Sequence, residues 1–230
     1  MQRILEPELM DDLEQARAYH NADFSESHGQ RVNLFRDRLP STHFRGKVLD
    51  LGCGSGDIIF RFAKAFDQLQ FAAVDGSEAM LSIARNELRK NSTLLPRVEF
   101  VEAFIPSDSI PVDDYKVIMS HSFLHHLHNP LVLWTTIKQF ARPNTFIFVA
   151  DLKRPPSLEA AKQIIEEQAA GEPEVLRLDF YNSLCAAFTL DEISDQLTTA
   201  GLDHLTVESV GDNHVLIYGM ARKKIINRPT

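Results

Sequence analysis

The apolar positions of the chain change period in a regular way. Val48-Leu49-Asp50-Leu51 is a short run rich in branched residues, as in a strand buried on both faces of a parallel sheet. Directly after it, Ile58, Ile59, Phe62, Ala63 and Phe66 recur at helical spacing. The same alternation predicts strands near 47–51, 70–74, 97–101, 116–120 and 145–150, and helices near 57–66, 77–90 and 130–141. Ser77 is a suitable N-cap for the second of these helices, whose apolar face is Met80, Leu81, Ala84 and Leu88. Asn129-Pro130 opens the third, and Arg142-Pro143-Asn144 closes it. Strand–helix alternation with short loops implies right-handed crossovers and a doubly wound α/β sheet with helices on both faces.

The two ends depart from this rhythm. Within residues 1–40, Pro7 is read as opening a helix that carries Leu9, Leu13, Ala16 and Tyr19 on one face. A second helix is expected from about Ser27 to Leu39, with Val32, Phe35 and Leu39 inward. After Asp151 the alternation stops. Residues 151–188 read as an insertion: a helix near 157–170, the breaker Gly171-Glu172-Pro173, then a stretch of mixed character over 178–184. Thr189 and Glu192 form a capping box for a helix that Gly201 ends. Two last runs, 204–210 and 214–220, joined by Gly211-Asp212-Asn213, read as a hairpin.

Composition narrows the possibilities. A chain of 230 residues with 44% apolar content suits one domain with a sizeable core. The net charge of −8 argues against a phosphate-binding groove, which needs clustered Lys and Arg. Two cysteines, Cys53 and Cys185, do not make a disulfide framework and suit a reducing cytoplasm. No apolar run approaches the roughly 18 residues of a membrane span, and no signal-peptide core is found at the N-terminus.

The candidate chemistry centres on Lys47 to Asp57, where Gly52, Gly54 and Gly56 stand at alternate positions between strand and helix. Glycines there permit positive φ and close approach of a ligand, and the following helix points its free N–H groups at that ligand. The spacing is G-x-G-x-G after Asp50, unlike the G-x-G-x-x-G of dinucleotide-binding folds, and a second strand ends in Asp75, where an acid can accept ribose hydroxyls. VLDLGCGSGD with AVDGSEAML resembles the first two motifs of the class I S-adenosylmethionine-dependent methyltransferases. The resemblance covers about 47–150 and 189–221. It implies a mostly parallel seven-stranded sheet with a terminal antiparallel hairpin, and S-adenosylmethionine as cofactor with S-adenosylhomocysteine as product. By position, it implies that Asp75 takes the ribose, Asp50 places the methionine ammonium, and Gly52, Cys53 and Gly54 meet the methionine portion. Gly76, Ser77 and Met80 would then lie toward the adenine. In the third motif, Ala103 and Phe104 stand where relatives often have Gly-Asp, and Glu102 falls one place early, on the opposite strand face. Phe104 or Ile105 is therefore expected as an apolar wall.

After the fourth strand comes Ser120-His121-Ser122-Phe123-Leu124-His125-His126-Leu127-His128. His121 and His125 are four apart, which could put both on one helix face, but no Asp, Glu or Cys completes a ligand set within the run, so no metal is expected. The resemblance to small-molecule methyltransferases implies instead that Ser120 and His121 lie by the sulfonium and that His121 or His125 is a candidate general base. Asp151 is the third candidate catalytic residue. Tyr19, Phe24, Phe180 and Tyr181 are candidates for the acceptor pocket, under a lid made of 1–40 and 151–188. The expected organisation is a single domain: lid 1–40, cofactor core 47–150, insertion 151–188, closing helix and hairpin 189–221. The expected activity is in-line methyl transfer to a small molecule, with no nucleic-acid or membrane partner and with the insertion as the candidate surface for a homodimer. The rival readings are a non-catalytic S-adenosylmethionine or S-adenosylhomocysteine binder, an RNA or protein methyltransferase, and a nicotinamide-dependent oxidoreductase.

Overall fold

The computed structural model describes residues 1–9, 11–22, 25–40 and 45–222. Its centre is one seven-stranded sheet: β1 (Gly46–Leu51), β2 (Leu69–Asp75), β3 (Val98–Glu102), β4 (Tyr115–His121), β5 (Phe146–Leu152), β6 (Thr206–Val210) and β7 (His214–Met220). The spatial order is β3-β2-β1-β4-β5-β7-β6, with β1 to β5 parallel and the closing β6–β7 hairpin running against them. The order reverses between β1 and β4, and the crevice at their carboxyl ends is where such sheets bind ligands.

The helices are α1 (Leu13–Asn21), α2 (Ser25–Arg38), α3 (Asp57–Ala65), α4 (Glu78–Arg89), α5 (Leu131–Phe140), α6 (Leu158–Gln168), α7 (Glu174–Ala186) and α8 (Leu190–Ala200). Successive strand residues serve opposite faces. Val48, Val117, Met119, Phe146 and Phe148 pack under α2, α3 and α4, while Leu49, Leu51, Ile118, Ile147 and Val149 pack under α5 and α8. On the first face the buried ring of Phe35 meets Phe62, Phe66, Phe146 and Phe148 edge-on, with centroids 5.0 to 5.9 Å apart. Each such ring contributes on the order of 1.5–3 kcal/mol through burial, and this one fixes α2 across the sheet. On the second face Trp134 is wholly buried, and its Nε1–H donates to Gln196 Oε1 at 2.9 Å, joining α5 to α8.

Ser77 caps α4 by accepting from the Met80 N–H at 3.1 Å, and the Thr189–Glu192 capping box and left-handed Gly201 bound α8 as the spacing predicts. Three expectations need correction. The first helix begins at Leu13, capped by Asp12, and not at Pro7. Residues 1–9 instead form an extended strap held from far along the chain: Arg3 donates to the carbonyls of Ala186 (2.5 Å), His125 (2.7 Å) and Leu127 (3.0 Å) and stacks on Phe188. The mixed stretch 178–184 is the body of α7, which packs on α6, on α1 and on the turn after β4. A helix with neighbours on several sides shows no single apolar stripe. Finally, His121 and His125 share no helix face. His121 ends β4, Ser122 turns the chain with φ 48°, and His125 lies in a 3-10 turn, Leu124–His126.

Candidate active site

The glycine turn lies at the β1/β4 crevice. Gly52, Gly54 and Gly56 all have positive φ, at 79°, 52° and 84°. A Cβ on Gly52 would fall 2.3 Å from the Phe123 ring, whereas one on Gly54 would meet nothing within 4 Å. Gly52 thus admits the Phe123 ring, and Gly54 is where a ligand can approach. Asp75 sits at the end of β2 with both oxygens on backbone donors: Oδ2 accepts from Gly54 N (2.7 Å) and Oδ1 from Ser77 N (2.9 Å). Burial raises its pKa against those bonds. This acid therefore locks the turn after β1 to the turn after β2.

Asp50 is buried at the end of β1, and its Oδ1 has no hydrogen-bond partner among the described residues. Burial, then the nearby Asp75, pushes its pKa up to about 8. His121 faces it with Nδ1 4.0 Å from that oxygen, too far for a hydrogen bond, and neither ring nitrogen has a partner among the described residues. Its ring packs between Phe62 and Phe148, and burial, Arg31 and His28 hold its pKa down at about 3. Burial thus favours the neutral form of both Asp50 and His121. Ser120 is fully buried, and its hydroxyl donates to the Leu51 carbonyl at 2.7 Å, which holds β4 against β1 at the crevice.

Arg31 escaped the sequence reading. It lies one turn before Phe35 on the same face of α2 and is only 7% exposed, yet no carboxylate lies within ion-pair distance of it among the described residues. Burial lowers its pKa, while Asp151 and the half-buried Tyr19 favour its charge. After burial, it is also the strongest charged influence depressing both His121 and His214. A signal was present: an arginine on the helix row that carries Val32 and Phe35.

Asp151 is the anchor of the turn after β4. Oδ2 accepts from Phe123 N (2.9 Å) and Leu124 N (2.8 Å), and Oδ1 from Leu152 N (2.7 Å) and His125 Nδ1 (2.5 Å). Burial would raise its pKa, but the His125 charge and these bonds bring it below the usual value. Burial likewise disfavours charged His125, and Asp151 and Glu6 outweigh it, so the imidazole is held above its ordinary range. Glu6 comes from the strap, with Oε1 3.5 Å from His125 Nε2 and 3.3 Å from His126 Nδ1. It brings to the histidine run, from more than a hundred positions upstream, the carboxylate that the run itself lacks.

The remaining candidates divide. Cys53 is buried with its thiol 3.7 Å from the Gly54 carbonyl, and Met80 is buried under α4. Phe104 is 65% exposed and lies against Gly76, where a Cβ would fall 3.0 Å from its ring and 3.4 Å from Leu9 of the strap. Ala103 N donates to the Asp75 carbonyl at 2.9 Å, and Glu102 is exposed beside them. Ser77 Oγ donates to Asp11 Oδ1 at 3.2 Å, just before α1. Phe180 and Tyr181 of α7 are half-buried and pack against the cluster of Leu152, Ala161, Ile165 and Leu184. Phe24 lies outside the described residues.

Residues 48–144 match a family model described as a methyltransferase domain. Among curated proteins, the chain is 30% identical over 116 residues to phosphoethanolamine N-methyltransferase 1 of Arabidopsis thaliana, covering 50% of this chain and 23% of that one. It is 26% identical over 156 residues to malonyl-[acyl-carrier protein] O-methyltransferase of Halalkalibacterium halodurans, covering 66% and 56%. The chain spans roughly a quarter to a little over half the length of the curated relatives it matches. Among solved structures, the plantazolicin methyltransferase in complex with S-adenosylhomocysteine superimposes with a TM-score of 0.68 at 17% identity, covering 92% of this chain and 91% of that one. Residues 48–144 thus match a methyltransferase domain, and the seven-stranded sheet with its closing antiparallel hairpin is the fold of S-adenosylhomocysteine-bound methyltransferases, to which the chain is similar.

Proposed function

We propose that this protein binds S-adenosylmethionine at the β1/β4 crevice and transfers its methyl group to a small-molecule acceptor. One observation carries the reading: Asp75, the glycine turn, buried Asp50 and unpaired Arg31 converge on that edge. The residues fit the cofactor part by part. The free lone pairs of Asp75 suit ribose hydroxyls, and the space at Gly54 suits close backbone approach. Asp50, with an orphaned oxygen, suits an ammonium, whose arrival would return its carboxyl to the charged form. Arg31 suits the amino-acid carboxylate, since a buried guanidinium without a counter-ion is costly until an anion meets it. Gly76 and Phe104 present the flat apolar surface an adenine needs.

When bound, the cofactor supplies an electrophilic methyl group on a sulfonium. The chain's own part is then to orient the acceptor and exclude water. His121 faces the crevice as a neutral, weakly basic wall. Asp151 and His125 hold each other and the turn that carries Phe123, so both act as positioning residues. An acceptor that brings its own nucleophile fits this site better than one needing a general base. No helix among the described residues is long and apolar enough to cross a membrane, and we read the protein as cytoplasmic. A homodimer through α6 and α7 is tested by sedimentation.

The activity is tested by incubating the protein with methyl-labelled S-adenosylmethionine and a metabolite extract. Label in a small extractable product is the expected result. Cofactor binding with no transfer to any fraction would leave a non-catalytic binder, and label in precipitable RNA or protein would contradict the small-molecule reading.

A further inference from the structure

Glu6, His125 and His126 form a group outside the crevice chemistry. Their candidate ligand atoms lie within 4.8 Å of one another. Glu6 Oε1 and His126 Nδ1 are both buried and neither has a hydrogen-bond partner among the described residues. The separations from Glu6 Oε1, 3.5 Å to His125 Nε2 and 3.3 Å to His126 Nδ1, are too long for good hydrogen bonds. They match another geometry. A tetrahedral zinc ion with arms of about 2.0–2.2 Å holds its ligand atoms about 3.3–3.6 Å apart.

The outer partners agree. His125 gives its Nδ1 to Asp151 at 2.5 Å, the carboxylate–histidine arrangement that fixes the tautomer and turns Nε2 toward a metal. The second oxygen of Glu6, Oε2, accepts from Ser183 Oγ at 3.2 Å, which orients the carboxylate from α7. The two imidazole rings lie with centroids 4.3 Å apart and planes tilted by 36°, and a nitrogen of each lies within 4.8 Å of the other and of the Glu6 carboxylate. All three side chains are held on rigid elements or, for Glu6, by a strap that Arg3 ties down at three carbonyls.

We infer that Glu6, His125 and His126 form a binding site for a divalent transition-metal ion of the zinc type, with two nitrogens, one carboxylate oxygen and an open fourth position. Two imidazoles and a carboxylate are borderline ligands suited to Zn²⁺ rather than Mg²⁺ or Ca²⁺. The ion joins the N-terminal strap to the turn after β4. The same strap carries Leu9 over Gly76, so metal binding also fastens the cover of the crevice edge.

The test uses the full chain, stripped of metal by chelator dialysis and titrated calorimetrically with ZnCl₂. One ion per chain is expected, with binding at least tenfold weaker in Glu6→Gln and in His126→Gln and unchanged in His204→Gln, a histidine remote from the site. Far-UV circular dichroism checks that each variant is folded. Titration of the wild-type chain with CoCl₂ needs no variant, and the visible spectrum of a tetrahedral nitrogen–oxygen site is expected at one equivalent. Zinc binding that survives Glu6→Gln, no saturable binding, or an octahedral cobalt spectrum would each overturn the inference.

Discussion

Removing the Asp151 carboxylate tests how the turn after β4 is held. Its two oxygens accept three backbone N–H groups and the His125 imidazole, all in a buried setting. Asp151→Ala leaves three buried donors without an acceptor, each costing about 1–3 kcal/mol before relaxation, and strips a buried histidine of its counter-charge. Relaxation and entering water absorb part of the sum, so the expected loss is about 3–5 kcal/mol, as for breaking other buried pairs. That is a large share of a typical stability of about 5–15 kcal/mol. Urea unfolding in the presence of chelator measures it. Asp151→Asn should lose less, because one oxygen still accepts. The pH dependence has a definite sign. The Asp151 pKa is lowered, so its charge stabilises above the ordinary carboxylate value of about 3.9 and the contribution fades as pH falls through the folded value. The His125 pKa is raised, so its charge stabilises below about 6.5 and the contribution fades as pH rises through the folded value. The gap between wild type and Asp151→Asn should be widest between about pH 4 and 6.5. A loss below about 1 kcal/mol for Asp151→Ala, or a gap that does not change with pH, would refute the anchoring role.

Three further substitutions separate binding from stability. Arg31→Met should weaken S-adenosylhomocysteine binding by about ten- to a hundredfold, the value of roughly 1.5–3 kcal/mol for a charged hydrogen bond, while leaving thermal stability equal or higher because an unpaired buried charge is gone. Lost stability with unchanged affinity would contradict it. Gly52→Ala places a methyl 2.3 Å from the Phe123 ring at φ 79°, so it should abolish detectable ligand binding and cost more than about 1 kcal/mol by urea unfolding. His121→Phe should flatten the acid side of the stability profile. The wild-type imidazole is neutral when folded down to about pH 3 but protonates near 6.5 when unfolded, so between those values stability falls with pH by up to about 1.4 kcal/mol per unit for this one group. An unchanged profile would show that His121 is solvated.

The parallel core was legible because each strand there is buried on both faces and each helix shows one apolar stripe, so 48–51 and 58–66 could be read from local order alone. The closing hairpin and the caps at Ser77 and Thr189 depend on residues a few positions apart and were equally clear. What escaped depends on distant partners. Pro7 opens no helix because Arg3 and Glu6 are held by groups near residues 125, 183 and 186. The middle of α7 hid its period because three other elements cover it. At the site, Asp50, Asp75 and the glycines stand where their spacing put them. The role of Asp151 in the turn was obscure because its donors come from residues 123 to 125, and Arg31 was passed over in a helix read only for its apolar face.

The central claim, that the β1/β4 crevice is a cofactor site, is tested most directly by calorimetric titration with S-adenosylhomocysteine beside NAD and NADP. Saturable binding of the thioether alone, lost in Asp75→Ala while the fold persists, is the predicted result. Binding of a nicotinamide nucleotide without the thioether, or thioether binding that Asp75→Ala leaves intact, would contradict it.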